Sequence, residues 1–264
     1  MIYPDAARFA AAREALLENH SRYNIGTYQE RSQHLILKRY FEPDPARHEI
    51  PLEGYIADIY GDAGVIEIQT SGFGALRNKL EVFLRHYPVT LVYPSAVKKR
   101  VVWTDPETGD MCVGSYRNRK SARYSVFAEL LYISSFFAHP NLCVLNVLTA
   151  ASDYKLLDGF GKDQKSRATK TDTVPDELLE IVPLKSLDDV LRMLPVSTGE
   201  AFTNAELEKI FGMRGRRLWA AVKFLENAGA IWRSGKKGNN LLYTVGNPNE
   251  NGGLYSESAG CEYI

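Results

Sequence analysis

The sequence predicts an α/β protein: a mixed sheet flanked by helices, with a smaller C-terminal helical module after it. Three observations carry this reading. The apolar period falls from about 3.6 to 2 at Glu49 and returns to about 3.6 at Phe73, so helices and strands alternate. Gly61-Asp62-Ala63-Gly64 separates two short β-rich runs and reads as a tight hairpin turn. Beyond Thr203, two segments of helical period separated by Gly212 precede a second hairpin.

Taken in order, Phe9, Leu16 and Leu17 lie at helical spacing on an alanine-rich stretch and predict a helix over 4–19. A second helix is predicted from Thr27 as N-cap, with Glu30 completing a capping box, through Leu35, Ile36, Tyr40 and Phe41. Strands follow at 55–60 and 64–70, then a helix at 73–85 with Leu76, Leu80, Phe83 and Leu84 on one face. Residues 89–93 read as a compact apolar strand closed by Pro94. Residues 100–104 and 111–113 flank the turn-forming Asp105–Gly109 stretch as a hairpin. An apolar helix over 124–137 and a buried strand over 142–148 come next. Residues 159–173 have little to bury and predict a mobile loop, with acidic helical segments continuing to Pro195.

Thr203 and Glu206 form a second cap pattern, opening a short helix that ends at Phe211 before Gly212. A longer helix over 214–227 turns Leu218, Val222 and Leu225 inward, and 231–233 and 241–245 form a hairpin tipped by Lys236-Lys237. The predicted organisation is a helix at 1–24, a main domain at 25–172 and an acidic helical linker at 173–197. The C-terminal module takes 198–247, and 248–264 is a flexible tail.

Composition narrows the function classes. The 264 residues are 45% hydrophobic and 24% charged, as in an ordinary globular protein. No apolar run reaches the ~20 residues of a membrane helix, and no apolar signal region opens the sequence, so a cytoplasmic protein without membrane contact is expected. Three widely spaced cysteines exclude a disulfide framework, and the five histidines form no zinc-binding pattern. The 32 basic and 32 acidic residues cancel overall but are unevenly placed. Residues 98–170 and 211–240 are basic and 171–210 acidic, which suggests two surfaces facing a polyanion.

The most informative stretch is 54–70. If Gly61–Gly64 closes the hairpin, Tyr60 opposes Val65, and counting outward sets Asp58 opposite Glu67, with Gln69 on the same face as Glu67. Opposed carboxylates repel, so a cation, a proton or a metal ion should compensate. An oxygen-only cluster suits Mg²⁺ or Mn²⁺, which can polarise a phosphoryl oxygen and activate a bound water. Glu30, on the preceding helix, is available as a third carboxylate besides its capping role, with Gln33 on the same helix.

The order of helix with Glu30, strand, strand with Asp58, strand with Glu67-Ile68-Gln69, helix and strand resembles the αβββαβ core of the PD-(D/E)XK, or restriction-endonuclease-like, nuclease superfamily over roughly residues 25–95. The resemblance implies a mixed sheet flanked by helices, with Asp58 and Glu67 as ligands of Mg²⁺ or Mn²⁺. It also implies Gln69 at the position of the Lys, and Glu30 as an auxiliary helix carboxylate. Ala57 stands at the Pro position. Gln69 can orient a water but cannot lower its pKa by charge; Lys79, or Arg77, from the next helix is the candidate cation.

The C-terminal module resembles a winged helix, which implies DNA contact through Arg214, Arg216 and Arg217 on its second helix and Lys236 and Lys237 on the wing. Trp219 and Trp232 are expected in packing. The segment around Arg117, Arg119 and Lys120 is either a phosphate-contacting surface, with Tyr116 and Tyr124 free to stack, or a solubilising loop. The loop with Lys162, Lys165, Arg167 and Lys170 either folds over nucleic acid bound at the carboxylates or is an inert linker. The expected function is a Mg²⁺-dependent DNA endonuclease, with a homodimer as one arrangement. The alternative is a catalytically inactive nuclease-like DNA-binding or regulatory protein.

Overall fold

The computed structural model describes residues 4–18, 32–160, 167–196 and 199–246. Helices α1 (Ala6–Glu18) and α2 (Ser32–Phe41) precede a meander of β1 (His48–Leu52), β2 (Tyr55–Gly61) and β3 (Gly64–Ile68). A 3-10 turn (Phe73–Leu76) leads into α3 (Arg77–His86) and the long strand β4 (Val89–Thr104). Then come β5 (Met111–Val113), β6 (Arg117–Asn118), α4 (Lys120–Leu130), β7 (Leu142–Leu156) and β8 (Thr169–Leu184). Among the described residues these eight strands form one mixed sheet in the order β1-β2-β3-β4-β7-β8, with β5 and β6 also paired to β4. Strand β2 is antiparallel to both β1 and β3, β4 runs parallel to both β3 and β7, and β8 is antiparallel to β7.

Strand alternation splits the core into two layers. Ile66, Ile68, Val92 and Leu145 pack beneath α1 and α2, whereas Val65, Leu91, Tyr93 and Val144 pack toward α3 and α4. Ser32 of α2 hydrogen-bonds the buried Asp172 of β8, fixing α2 over the sheet. The β2–β3 turn is tight against the neighbouring chain. Gly64 has φ +93°, and a Cβ there would lie 2.3 Å from the Pro88 carbonyl oxygen, the same oxygen that accepts the Val65 N–H at 2.9 Å.

Four predicted boundaries are corrected. Pro94 does not close β4, which continues to Thr104. Val92 turns its carbonyl toward β3, accepting the Gln69 N–H, so the missing N–H of Pro94 faces the side that β3 has just left. Residues 173–197 are not a helical linker: through Leu184 they belong to β8, and only α5 (Leu187–Met193) is helical. Pro175 and Pro183 are poor helix formers, and acidic residues of β8 pair with cations on α1, β4 and α4. Asp176 meets Arg13 and Arg100, and Glu180 holds Arg123 at 2.8 Å. The same strand takes up the end of the predicted 159–173 loop. The predicted apolar helix over 124–137 is α4 followed by a 3-10 segment (Leu131–Phe136).

The C-terminal unit comprises β9 (Ala201–Thr203), α6 (Asn204–Phe211), α7 (Gly215–Asn227), β10 (Ile231–Lys237) and β11 (Asn240–Val245), with a sheet ordered β10-β11-β9. Thr203 and Glu206 make the predicted capping box, and Gly212 ends α6 in the left-handed region at φ +63°. The unit is packed, not tethered. Phe127 of α4 lies 6.1 Å from Phe211 and 5.9 Å from Phe224, and Phe137 meets Phe224 edge-on at 5.2 Å. No helix among the described residues is long and apolar enough to cross a membrane.

Candidate active site

Strands β2 and β3 are laddered at the turn end, with Gly61 opposite Gly64, Tyr60 opposite Val65 and Ile59 opposite Ile66. This is the register expected from the turn, but the ladder ends at Ile59 and Ile66, short of the predicted pair of Asp58 and Glu67. There the strands fork. An unbroken ladder would give the Ile68 N–H to the Ala57 carbonyl. Instead the Asp58 Oδ2 accepts it at 2.7 Å, and the Asp58 N–H donates to Glu67 Oε1 at 3.2 Å. The Asp58 carboxylate thus stands in for the missing rung, and Glu67 takes up the Asp58 N–H beside it.

The expectation that they simply share one face needs correction. His34 of α2 brings its Nε2 to 3.1 Å from Asp58 Oδ2, from one side of the sheet. Lys79 of α3 places its Nζ 2.5 Å from Glu67 Oε2, from the other. Because the strands have parted, both side chains reach into the gap between them.

The electrostatics differ sharply across this gap. Glu67 is 0% exposed. Burial, then the negative charge of Asp58, pushes its carboxyl up to about 7 against the opposing pull of Lys79. Burial also pushes Asp58 upward, but the His34 hydrogen bond and charge, the Ile68 N–H and Lys79 outweigh it, leaving Asp58 below its ordinary value. One carboxylate is held ionised and its neighbour is disposed to carry a proton near neutrality.

Gln69 lies two residues beyond Glu67, half-buried, its N–H on the Val92 carbonyl at 2.9 Å. Arg77, the other candidate cation, donates to the Tyr132 carbonyl at 3.3 Å. Glu30, Thr27, Lys162 and Lys165 lie outside the described residues, as does the predicted tail at 248–264. Among the described residues, no group of three His, Cys, Asp or Glu side chains is gathered to hold a metal ion. His34 is the participant that sequence reasoning missed. It belongs to no motif, and its one signal is its place on the helix before the meander.

The basic segments meet. Arg117 sits in β6 beside β4, and Arg119 and Lys120 are exposed at the start of α4. The Gly212 turn abuts that start, so that a Cβ on Gly212 would lie 3.4 Å from Lys120 Cβ. Arg214 pairs with Glu208 at 2.8 Å, and Arg216 and Arg217 are exposed. Lys236 and Lys237 are exposed at the end of β10, just before the turn. Tyr116 and Tyr124 are not free to stack. Tyr116 donates to Asp176 at 2.9 Å beneath Arg100, and Tyr124 stacks on Phe211 at 4.6 Å. Arg167 is exposed, whereas Lys170 is paired with Asp153 at 2.8 Å. Trp219, expected in packing, is 59% exposed.

Residues 31–185 match the family model of a domain of unknown function, DUF8091. The chain belongs to that family. The DUF8091 match runs from the start of α2 to just past β8 and so contains the whole fork, with the C-terminal unit outside it. An uncharacterized protein of Treponema pallidum (strain Nichols) is 28% identical over 236 residues, covering 86% of this chain and 90% of its own. No solved structure matches the chain.

Proposed function

We propose that the protein is a Mg²⁺- or Mn²⁺-dependent DNA endonuclease whose site is the β2–β3 fork and whose C-terminal unit, ordered as a winged helix, binds DNA. The order α2, antiparallel β1-β2-β3, α3 and then β4 parallel to β3 supports the resemblance to the PD-(D/E)XK core. The order β9-α6-α7-β10-β11, with β9 joining the hairpin through β11, supports the winged-helix reading. The observation that carries the proposal is Lys79 at Glu67. It supplies, from α3, the cation that a Glu-x-Gln strand lacks.

The donor set fits the ion. Mg²⁺ is commonly held by one or two carboxylates, with water and phosphate filling the remaining positions. Burial and then the negative charge of Asp58 raise Glu67, and a bound cation offsets the second of these. When bound, the ion supplies phosphoryl polarisation and a water of lowered pKa. Asp58 and Glu67 would hold it. The chain's own residues do the rest: His34 orients Asp58, Lys79 offsets charge at Glu67 and on the phosphate, and the Gln69 amide orients a water.

Incubation of purified protein with plasmid DNA and Mg²⁺ or Mn²⁺ tests this. Cleavage is expected in the wild type and lost in Asp58→Asn and Lys79→Met. No metal-dependent cutting in the wild type, or cutting that survives both substitutions, removes the enzymatic reading.

A second reading has its own observation. Asp58 and Glu67 are already used as acceptors for backbone N–H groups, and Gln69 carries no charge. A DNA-binding protein without catalysis accounts for that. It predicts salt-sensitive DNA binding with no cleavage in the wild type or in Gln69→Lys.

A further inference from the structure

We infer that the open side of α7 is a stacking site for an unpaired base of single-stranded DNA, with Trp219 as its platform. The inference rests on the nucleic-acid part of the reading above. A helix entering a major groove offers a protruding face with side chains free to reach base edges. Helix α7 is instead seated. Leu218, Val222 and Leu225 are buried along one side, and Phe224 on another packs on Phe127 and Phe137 of the main domain. Arg217 lies on that second side, close enough to the buried Tyr93 hydroxyl of β4 to act on its ionisation. Arg214 is paired with Glu208.

What faces solvent is the stripe Arg216, Trp219 and Lys223, at i, i+3 and i+7. Trp219, Lys223 and Glu226 line an open cleft of about 270 Å³ together with Arg233 and Tyr243 of the hairpin. Glu226 holds Arg233 at 2.7 Å and Lys223 at 3.5 Å, drawing both cations to the cleft. With Arg216 the cations outnumber this carboxylate, which suits a phosphate backbone. Bases within a duplex are already stacked and show only their edges. An exposed indole between cations matches a base whose flat face is free, while flanking phosphates meet the guanidinium and ammonium groups.

The test compares a labelled blunt hairpin duplex with the same duplex carrying a single-stranded 3′ extension, both at low salt, using the full chain. The extended form should bind more tightly. Trp219→Ala should weaken that form about tenfold and leave the blunt form unchanged, whereas Trp219→Phe should keep most of the affinity. Equal affinity for the two forms, or a Trp219→Ala effect that is absent or the same on both, overturns the stacking site while leaving the fork untouched. No binding to either form overturns the DNA-binding reading with it.

Discussion

The Asp58 carboxylate accepts the Ile68 N–H at 2.7 Å, where the Ala57 carbonyl would stand in an unbroken ladder. Asp58 therefore serves the fold whatever else it does. Asp58→Ala leaves that donor without its acceptor and is expected to cost about 1–3 kcal/mol. Asp58→Asn keeps an acceptor oxygen and should cost clearly less. Urea unfolding of the two variants measures the difference, and equal losses would show that the hydrogen bond is not what Asp58 contributes.

Glu67 and Asp58 impose opposite pH slopes. With its pKa raised to about 7 from 4.5, folded Glu67 retains a proton that the unfolded chain releases, so its contribution declines as pH rises through that window. Asp58, lowered, contributes above the ordinary aspartate range and loses that contribution as pH falls through its folded value. The thermal midpoint of Glu67→Gln should therefore gain on that of the wild type between about pH 5 and pH 8. Parallel profiles would refute the assignment.

Removing Lys79 strips the buried Glu67 of its cation. At about pH 8 Lys79→Met should cost about 3 kcal/mol, and at about pH 6 less, because Glu67 can then protonate. Adding Glu67→Gln should recover most of the loss. A double-mutant cycle by chemical denaturation reads the coupling directly, and additive losses would mean the pair contributes nothing as a pair.

Phe224 is fully buried between α7 and the main domain. Phe224→Ala is expected to cost about 3–5 kcal/mol. Because one apolar cluster runs through both units, the wild type should melt in a single calorimetric transition. Two resolved transitions would show that the units are energetically separate.

Much of the approach to the fork was legible because one short turn sets the ladder beside it: once Gly61 and Gly64 close the hairpin, Tyr60 opposes Val65 and Ile59 opposes Ile66, with Asp58 and Glu67 next along the two strands. The divergence itself was not legible, since nothing local shows that a side chain will replace the next rung. His34 stands 24 residues from Asp58 and meets it only through the packing of α2. Pro94 reads as a stop unless one knows that β3 has already ended beside it. The acidic run before Leu184 resembles a solvated helix until Arg13 of α1, Arg100 of β4 and Arg123 of α4 are in place beside it. Trp219 was misplaced by size: the small Ala220 and Ala221 are buried while the larger indole is left outside.

The seating of α7 on α4 has a metric consequence. Wedged by Phe127, Phe137 and Phe224, the helix shares its core with the main domain, so its indole and the parted strands belong to one packed body. A polymer touching both places would have to span the distance that this shared core sets between them.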